Sequence, residues 1–182
     1  MIRCGCRENF MYELKDNFLN KIEFEAVEQT ILNTSFPWYL NRIVDDSDYS
    51  SESTYPNLML ANILYFKDAA RSDRFPNFTC LLDKLDIFSL LRVKINYLTP
   101  TAERIIHDFH IDITDDNAPK NIKTAIFYLN TNNGVTVFED TKKEVKSVKN
   151  RMIIFPMLSR HAGTTHTEQD IPHRIVINFN YF

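Results

Sequence analysis

A chain of 182 residues, 44% hydrophobic and 25% charged, is long enough to bury the core of one soluble globular domain. A net charge of -3 gives no electrostatic footprint for nucleic acid, and no run approaches the roughly 18–20 apolar residues of a membrane span; with a polar start, 1–7, lacking a signal-peptide core, a cytoplasmic location is expected. Three cysteines are too few for a disulfide framework, Cys4 and Cys6 have no second pair at zinc-finger spacing and read as reduced thiols, and three glycines form no phosphate-cradling loop.

In chain order, 11–18 reads as a short strand. Phe24, Val27 and Ile31 recur at helical spacing within 20–33 and predict an amphipathic helix. Residues 36–40, with the single tryptophan Trp38, begin a strand. Residues 45–55 carry Asp45, Asp46, Asp48, Glu52 and four serines. So little apolar surface cannot offset ordering entropy, and this loop is expected to close as a lid when substrate binds. A buried strand is predicted at 58–66, a loop at 68–77, a helix over 78–90 from Leu81, Leu82, Leu85, Ile87 and Leu90, and a period-two strand at 92–97. Further strands are predicted at 104–113, 123–130, 134–139, 144–148, 151–155 and 173–181, with turns at 115–117, 132–134 and 149–150. The fold class expected is mainly β (α+β), a sandwich or barrel with amphipathic helices on one sheet. It is one domain over 1–182, with a support region at 1–90 and a strand core at 91–182.

Four positions suggest chemistry. His110 and Asp112 are two apart on a predicted strand, so their side chains share a face. Two imidazoles and a carboxylate with open positions make the donor set of a non-haem Fe(II) facial triad. The third ligand is expected to be His161, which closely follows the apolar strand 152–156, with His166 as its rival. His107, three positions before His110, falls on the opposite strand face; it and His173 read as structural or exposed. Arg174 shares a face with Val176, Asn178 and Asn180, while Ile175, Ile177, Phe179 and Tyr181 pack under the helices. A guanidinium inside the barrel needs an anion, either an internal carboxylate or a dicarboxylic ligand.

The order His110-x-Asp112, then 125–130, 133–138, 155–156, His161 and Arg174-x-x-x-Asn178-Phe179 resembles the 2-oxoglutarate/Fe(II)-dependent dioxygenases, and within them the prolyl-hydroxylase-like branch. The resemblance covers about 92–182 and implies a double-stranded β-helix, or jelly roll. It implies that His110, Asp112 and His161 bind Fe(II) and that Arg174 binds the distal carboxylate of 2-oxoglutarate. Tyr128, Thr136 and Tyr97 would line the same pocket. The implied reaction uses O2 to hydroxylate a C–H bond while 2-oxoglutarate becomes succinate and CO2, with ascorbate as reductant. The substrate would be a small molecule or a peptidyl residue, held by 43–57, 66–77 and 114–121. Asp112 stands where halogenating relatives carry a small residue, and Asn180 where DNA-repair relatives carry a second arginine. Rival readings are an idle jelly roll that binds a ligand or partner, and a cupin-type metalloenzyme, which has no need of Arg174.

Overall fold

The computed structural model describes residues 12–41, 59–113 and 121–182. The first helix is fixed at its start by Asn20. The Asn20 side chain accepts from the Glu23 backbone N–H at 3.0 Å, while Glu23 Oε2 accepts from Asn20 N–H at 2.9 Å. This capping box satisfies two donors that the first turn leaves open. Helix α1 (Lys21–Leu32) buries Phe24, Val27 and Ile31, the three positions that the spacing predicted. The second helix is shorter than predicted. Phe75–Phe78 forms a 3-10 turn, α2 covers only Thr79–Leu82, and the chain then turns before the strand that starts at Leu90. Leu81 and Leu85 reach the core without a continuous helix, and Phe88 is left 95% exposed. Apolar spacing over so short a run records burial and leaves the backbone form open.

Eleven strands are described: β1 (Glu13–Lys15), β2 (Tyr39–Asn41), β3 (Met59–Phe66), β4 (Ala69–Ala70), β5 (Leu90–Leu98), β6 (Lys123–Tyr128), β7 (Val135–Phe138), β8 (Glu144–Lys146), β9 (Arg151–Pro156), β10 (His161–Gly163) and β11 (Arg174–Tyr181). The larger sheet runs β1-β9-β6-β11-β5-β3-β2, with β4 beside β3, and the smaller one β10-β7-β8. Every pairing is antiparallel, and the architecture is a jelly roll.

The alternation on β11 decides the layers. Ile175, Ile177, Phe179 and Tyr181 join Phe24, Val27, Ile31, Leu81 and Leu85 in a core between helices and sheet. Val176 faces the other way and packs with Ile126, Tyr128, Phe138, Val145, Ile153 and Phe155. Arg174, Asn178 and Asn180 share that inner face by parity. Asn150, at φ 61, ties the chain before α1 to the sheet: its Oδ1 accepts from Leu19 N–H at 2.9 Å and its Nδ2 donates to Leu19 O at 2.8 Å.

Two expectations need correcting. Residues 104–113 do not form a continuous strand; they touch the barrel through isolated antiparallel bridges, Ile106 to Thr164 and His110 to His161. Strand β10 was not foreseen. Its three residues include two buried ones, His161 and Ala162, so no alternation marks it. Among the described residues no helix is long and apolar enough to cross a membrane. The proposed lid at 45–55, most of the 43–57 and 114–121 loops, and Cys4 and Cys6 lie outside the described residues.

Candidate metal centre

His110, Asp112 and His161 come together although their chain positions are far apart. One ligand atom from each lies within 4.8 Å of the others. The backbone supplies the reason: His110 and His161 exchange N–H···O bonds at 3.0 Å in both directions, which places their rings 4.9 Å apart. Asp112 follows two residues later. The ring orientations are fixed from behind. His110 Nδ1 lies 2.9 Å from Asp108 O and His161 Nδ1 3.0 Å from Ser159 O. Each Nδ1 therefore carries the proton and each Nε2 keeps its lone pair, the arrangement a metal-ligating histidine requires. Burial lowers the His161 pKa, against the pull of Asp112, which keeps this ring neutral. His110 is exposed and His161 buried, so one side of the site opens to solvent.

Asp112 is held by three donors. Arg92 Nη2 donates to Oδ1 at 2.7 Å; Asn180 Nδ2 and Thr124 Oγ1 donate to Oδ2 at 3.0 and 3.2 Å. Arg92 Nε also donates to Asn180 Oδ1 at 2.9 Å, closing the network. Burial by itself would raise the Asp112 carboxyl. The Arg92 guanidinium outweighs it, with His161, Asn180 and His110 adding to the effect, and holds the group well below the usual carboxylate range. Two imidazoles and one ionised carboxylate, all oriented by further hydrogen-bond partners, fit a divalent transition metal such as Fe(II).

The same cavity, about 100 Å³, reaches from His110 and His161 to Arg174. Arg174 is 2% exposed, and among the described residues no carboxylate pairs with it. Its Nε donates to Ser147 Oγ at 2.9 Å, and its Nη2 to Val135 O at 3.3 Å and Thr136 Oγ1 at 3.5 Å. Burial lowers its pKa from the usual value, yet a guanidinium remains charged in proteins. The internal-carboxylate alternative thus finds no support among the described residues. Tyr128 sits behind this corner: its hydroxyl donates to Thr136 Oγ1 at 2.8 Å and its ring lies 5.8 Å from the Arg174 guanidinium. Burial pushes its phenol up to about 12, so it stays a neutral hydroxyl. Thr136 lines the cavity; Tyr128 orients Thr136.

Gly134 makes room for the arginine. A Cβ there would lie 2.7 Å from Arg174 Cδ, 3.0 Å from its Nε and 2.9 Å from Asn132 Oδ1. Gly134→Ala is expected to displace the guanidinium and weaken binding of a carboxylate ligand at Arg174 about tenfold or more, with metal affinity unchanged. Parallel ligand and metal titrations of the variant check this; equal loss of both would mean a general disturbance of the barrel.

Two expectations about individual residues change. Tyr97 does not line the cavity: it shares parity with Val93 and Ile95, joins the helix-side core, and packs against Trp38 and His173 at 5.3 and 5.2 Å. The opposite parity on β5, Lys94, Asn96 and Leu98, lines the cavity, and that alternation was legible in the sequence. His107 is buried and lines the cavity with Arg174, because the irregular 104–113 backbone does not alternate as a strand would. Arg92, Thr124, Asn180 and Ser147 were missed as supports because each is a polar residue at an inward position, visible only once partners are assigned.

His166 is fully buried, away from the three-ligand group, and neither ring nitrogen has a hydrogen-bond partner. Burial lowers its pKa, opposed by Glu168. The unfolded chain therefore takes up a proton on this ring near its usual pKa of about 6.5 before the folded chain does. Stability is full above that pH and falls as the pH drops below it. His166→Leu is expected to keep the melting temperature at neutral pH and to make its fall toward pH 5 shallower. An unchanged slope would show that this ring does not titrate with unfolding.

No family model matches the sequence, and no curated protein matches it. Solved structures do match. A prolyl hydroxylase from Trichoplax adhaerens, in complex with a hypoxia inducible factor oxygen degradation domain peptide fragment, superimposes with a TM-score of 0.64 at 14% identity, over 96% of this chain and 84% of that one. A Pseudomonas putida prolyl-4-hydroxylase gives 0.60 at 11% identity, over 95% and 93%. The viral collagen prolyl hydroxylase of Paramecium Bursaria Chlorella virus-1, as its 2OG complex, gives 0.56 at 18% identity, over 97% and 98%. The chain has the jelly-roll fold of the 2OG-Fe(II) oxygenases, in the form built by the prolyl hydroxylases.

Proposed function

We propose that this chain is a non-haem Fe(II)- and 2-oxoglutarate-dependent dioxygenase that hydroxylates a prolyl or other amino-acid side chain. The observation that carries the reading is Arg174, a buried guanidinium with no carboxylate among the described residues, in one cavity with two histidines of the metal-type cluster. A buried unpaired cation is costly unless a ligand meets it, and the five-carbon dicarboxylate 2-oxoglutarate offers a carboxylate to Arg174 and an oxo-acid end to a metal.

Fe(II), when bound by His110, Asp112 and His161, supplies the redox chemistry with O2, and ascorbate serves as its reductant. The overall balance is one C–H substrate, O2 and 2-oxoglutarate giving the alcohol, succinate and CO2. The chain's own residues position and protect. Arg174 and Thr136 hold the distal carboxylate, Ser147 and Tyr128 aim them, and Val176, Leu98 and Ile126 keep the cavity partly apolar. The exposed His110 marks the side on which substrate approaches. A peptidyl target is favoured because one structural neighbour was solved with a peptide; the setting is cytoplasmic, with no nucleic-acid or membrane partner.

The direct test is formation of succinate from 2-oxoglutarate by purified protein with Fe(II), ascorbate and O2, in the presence and absence of proline-containing peptides. Turnover stimulated by peptide supports the reading. Failure of the Fe(II)-loaded protein to bind 2-oxoglutarate at all would remove it.

A further inference from the structure

A second cation faces the same cavity. Lys94 lines it from β5, its pKa is lowered by burial with Arg92 adding to the effect and Asp112 opposing it, and among the described residues it makes no hydrogen bond or ion pair. The nearby carboxylate, Asp112, is already engaged by Arg92, Asn180 and Thr124. Lys94 pairs in register with Asn178 of β11, and Arg174 with Leu98. Along this strand pair Lys94 therefore lies four residues from the Arg174 end, next to the row of Arg92 and Asn180, which holds Asp112. Asn178, 8% exposed, lines the cavity here; its Nδ2 can donate to a carboxylate, and its buried Oδ1, which has no partner, is an acceptor placed to receive from an ammonium. The Lys94 ammonium, without a partner among the described residues, and the Asn178 carboxamide N–H lie side by side and form a donor subsite at the metal end.

Building on the function proposed above, we propose that Lys94, with Asn178, is the second carboxylate-binding subsite of the cavity and receives the metal-end carboxylate of the bound 2-oxo acid. Arg174 takes one end of the dicarboxylate and Lys94 the other. Two cations that no carboxylate among the described residues pairs, Arg174 buried and Lys94 half-buried, are matched by one dianion. The subsite selects 2-oxo acids for the charge at their oxo end, independently of the distal carboxylate that Arg174 reads.

Calorimetric titration of the Mn(II)-loaded protein separates the two subsites. The probes are 2-oxoglutarate, which has both carboxylates, and 2-oxopentanoate, which keeps the oxo-acid end and lacks the distal carboxylate. Arg174→Met is expected to weaken 2-oxoglutarate strongly and leave 2-oxopentanoate unchanged. Lys94→Met is expected to weaken both ligands about tenfold or more, the weight of one charge-assisted hydrogen bond, and Lys94→Arg to restore most of that loss. Removing a half-buried ammonium that has no partner among the described residues should leave the melting temperature of the ligand-free protein unchanged or raised, whereas a merely structural lysine would lower it; Lys94→Gln serves as a second variant if Lys94→Met fails to fold. Undiminished binding of both ligands by Lys94→Met, with Arg174→Met behaving as expected, overturns the Lys94 subsite and leaves the dioxygenase reading intact. Wild-type protein that binds neither ligand overturns both.

Discussion

Arg174→Met raises the dissociation constant for 2-oxoglutarate by on the order of a hundredfold or more, because loss of one member of a buried charged pair costs about 3–5 kcal/mol. The effect is this large because nothing else in the corner replaces the guanidinium. Thr136 and Ser147 are neutral, and Tyr128 lies behind Thr136 with its hydroxyl already committed. Iron affinity is expected to hold, since none of the three ligands touches Arg174 through a described hydrogen bond. The ligand-free variant should be nearly as stable as the parent, for until a ligand arrives the guanidinium has only neutral hydrogen-bond partners among the described residues. Titrations of metal and of 2-oxoglutarate, run on the same preparation, check both halves. Retention of tight 2-oxoglutarate binding would mean that the buried charge serves another anion.

His161→Ala abolishes tight binding of Fe(II) and all metal-dependent turnover, while His166→Ala keeps both. The two histidines differ in what surrounds them. His161 has its Nδ1 fixed by Ser159 O, is joined by backbone bonds to His110, and lies within ligand distance of Asp112. His166 has no such companions. Loss of one of three ligands leaves a bidentate site open to water, and the loss of metal affinity exceeds the 10–100-fold typical of removing a ligand's hydrogen-bond partner. Metal content of the purified variants and Co(II) absorption spectra read the outcome. Loss of metal in the His166 variant with retention in the His161 variant would reassign the ligand.

Much of the strand core was legible because period-two patterns survive wherever one face meets the helices and the other the cavity. Strand β11 shows this best, with Arg174, Val176, Asn178 and Asn180 alternating with an apolar set. The same rule, applied to β5, would have excluded Tyr97 from the cavity and admitted Lys94. The helix over 78–90 failed because leucine spacing records burial alone. The H-x-D segment was assigned to a strand and is not one; its two ligands still converge, because the His110–His161 bridge sets the first and the next two residues carry the second. His107 was lost to the same error. Partnerships such as Arg92 with Asp112 join positions far apart in the chain, and no local pattern announces them.

The bridged segment has a thermodynamic consequence of its own. Residues 104–113 carry two of the proposed metal ligands and join the barrel through isolated backbone bridges and the side-chain bonds of Asp112, without a continuous ladder, whereas His161 sits on a strand paired with β7. A bound ion would cross-link the loosely joined segment to the firmly joined one. Local opening of 104–113 then breaks coordination, so its free energy rises with free metal concentration as RT ln(1 + [M]/Kd). Amide exchange across this segment reports metal occupancy quantitatively, while the paired strands β6, β9 and β11 exchange at a rate set by global unfolding.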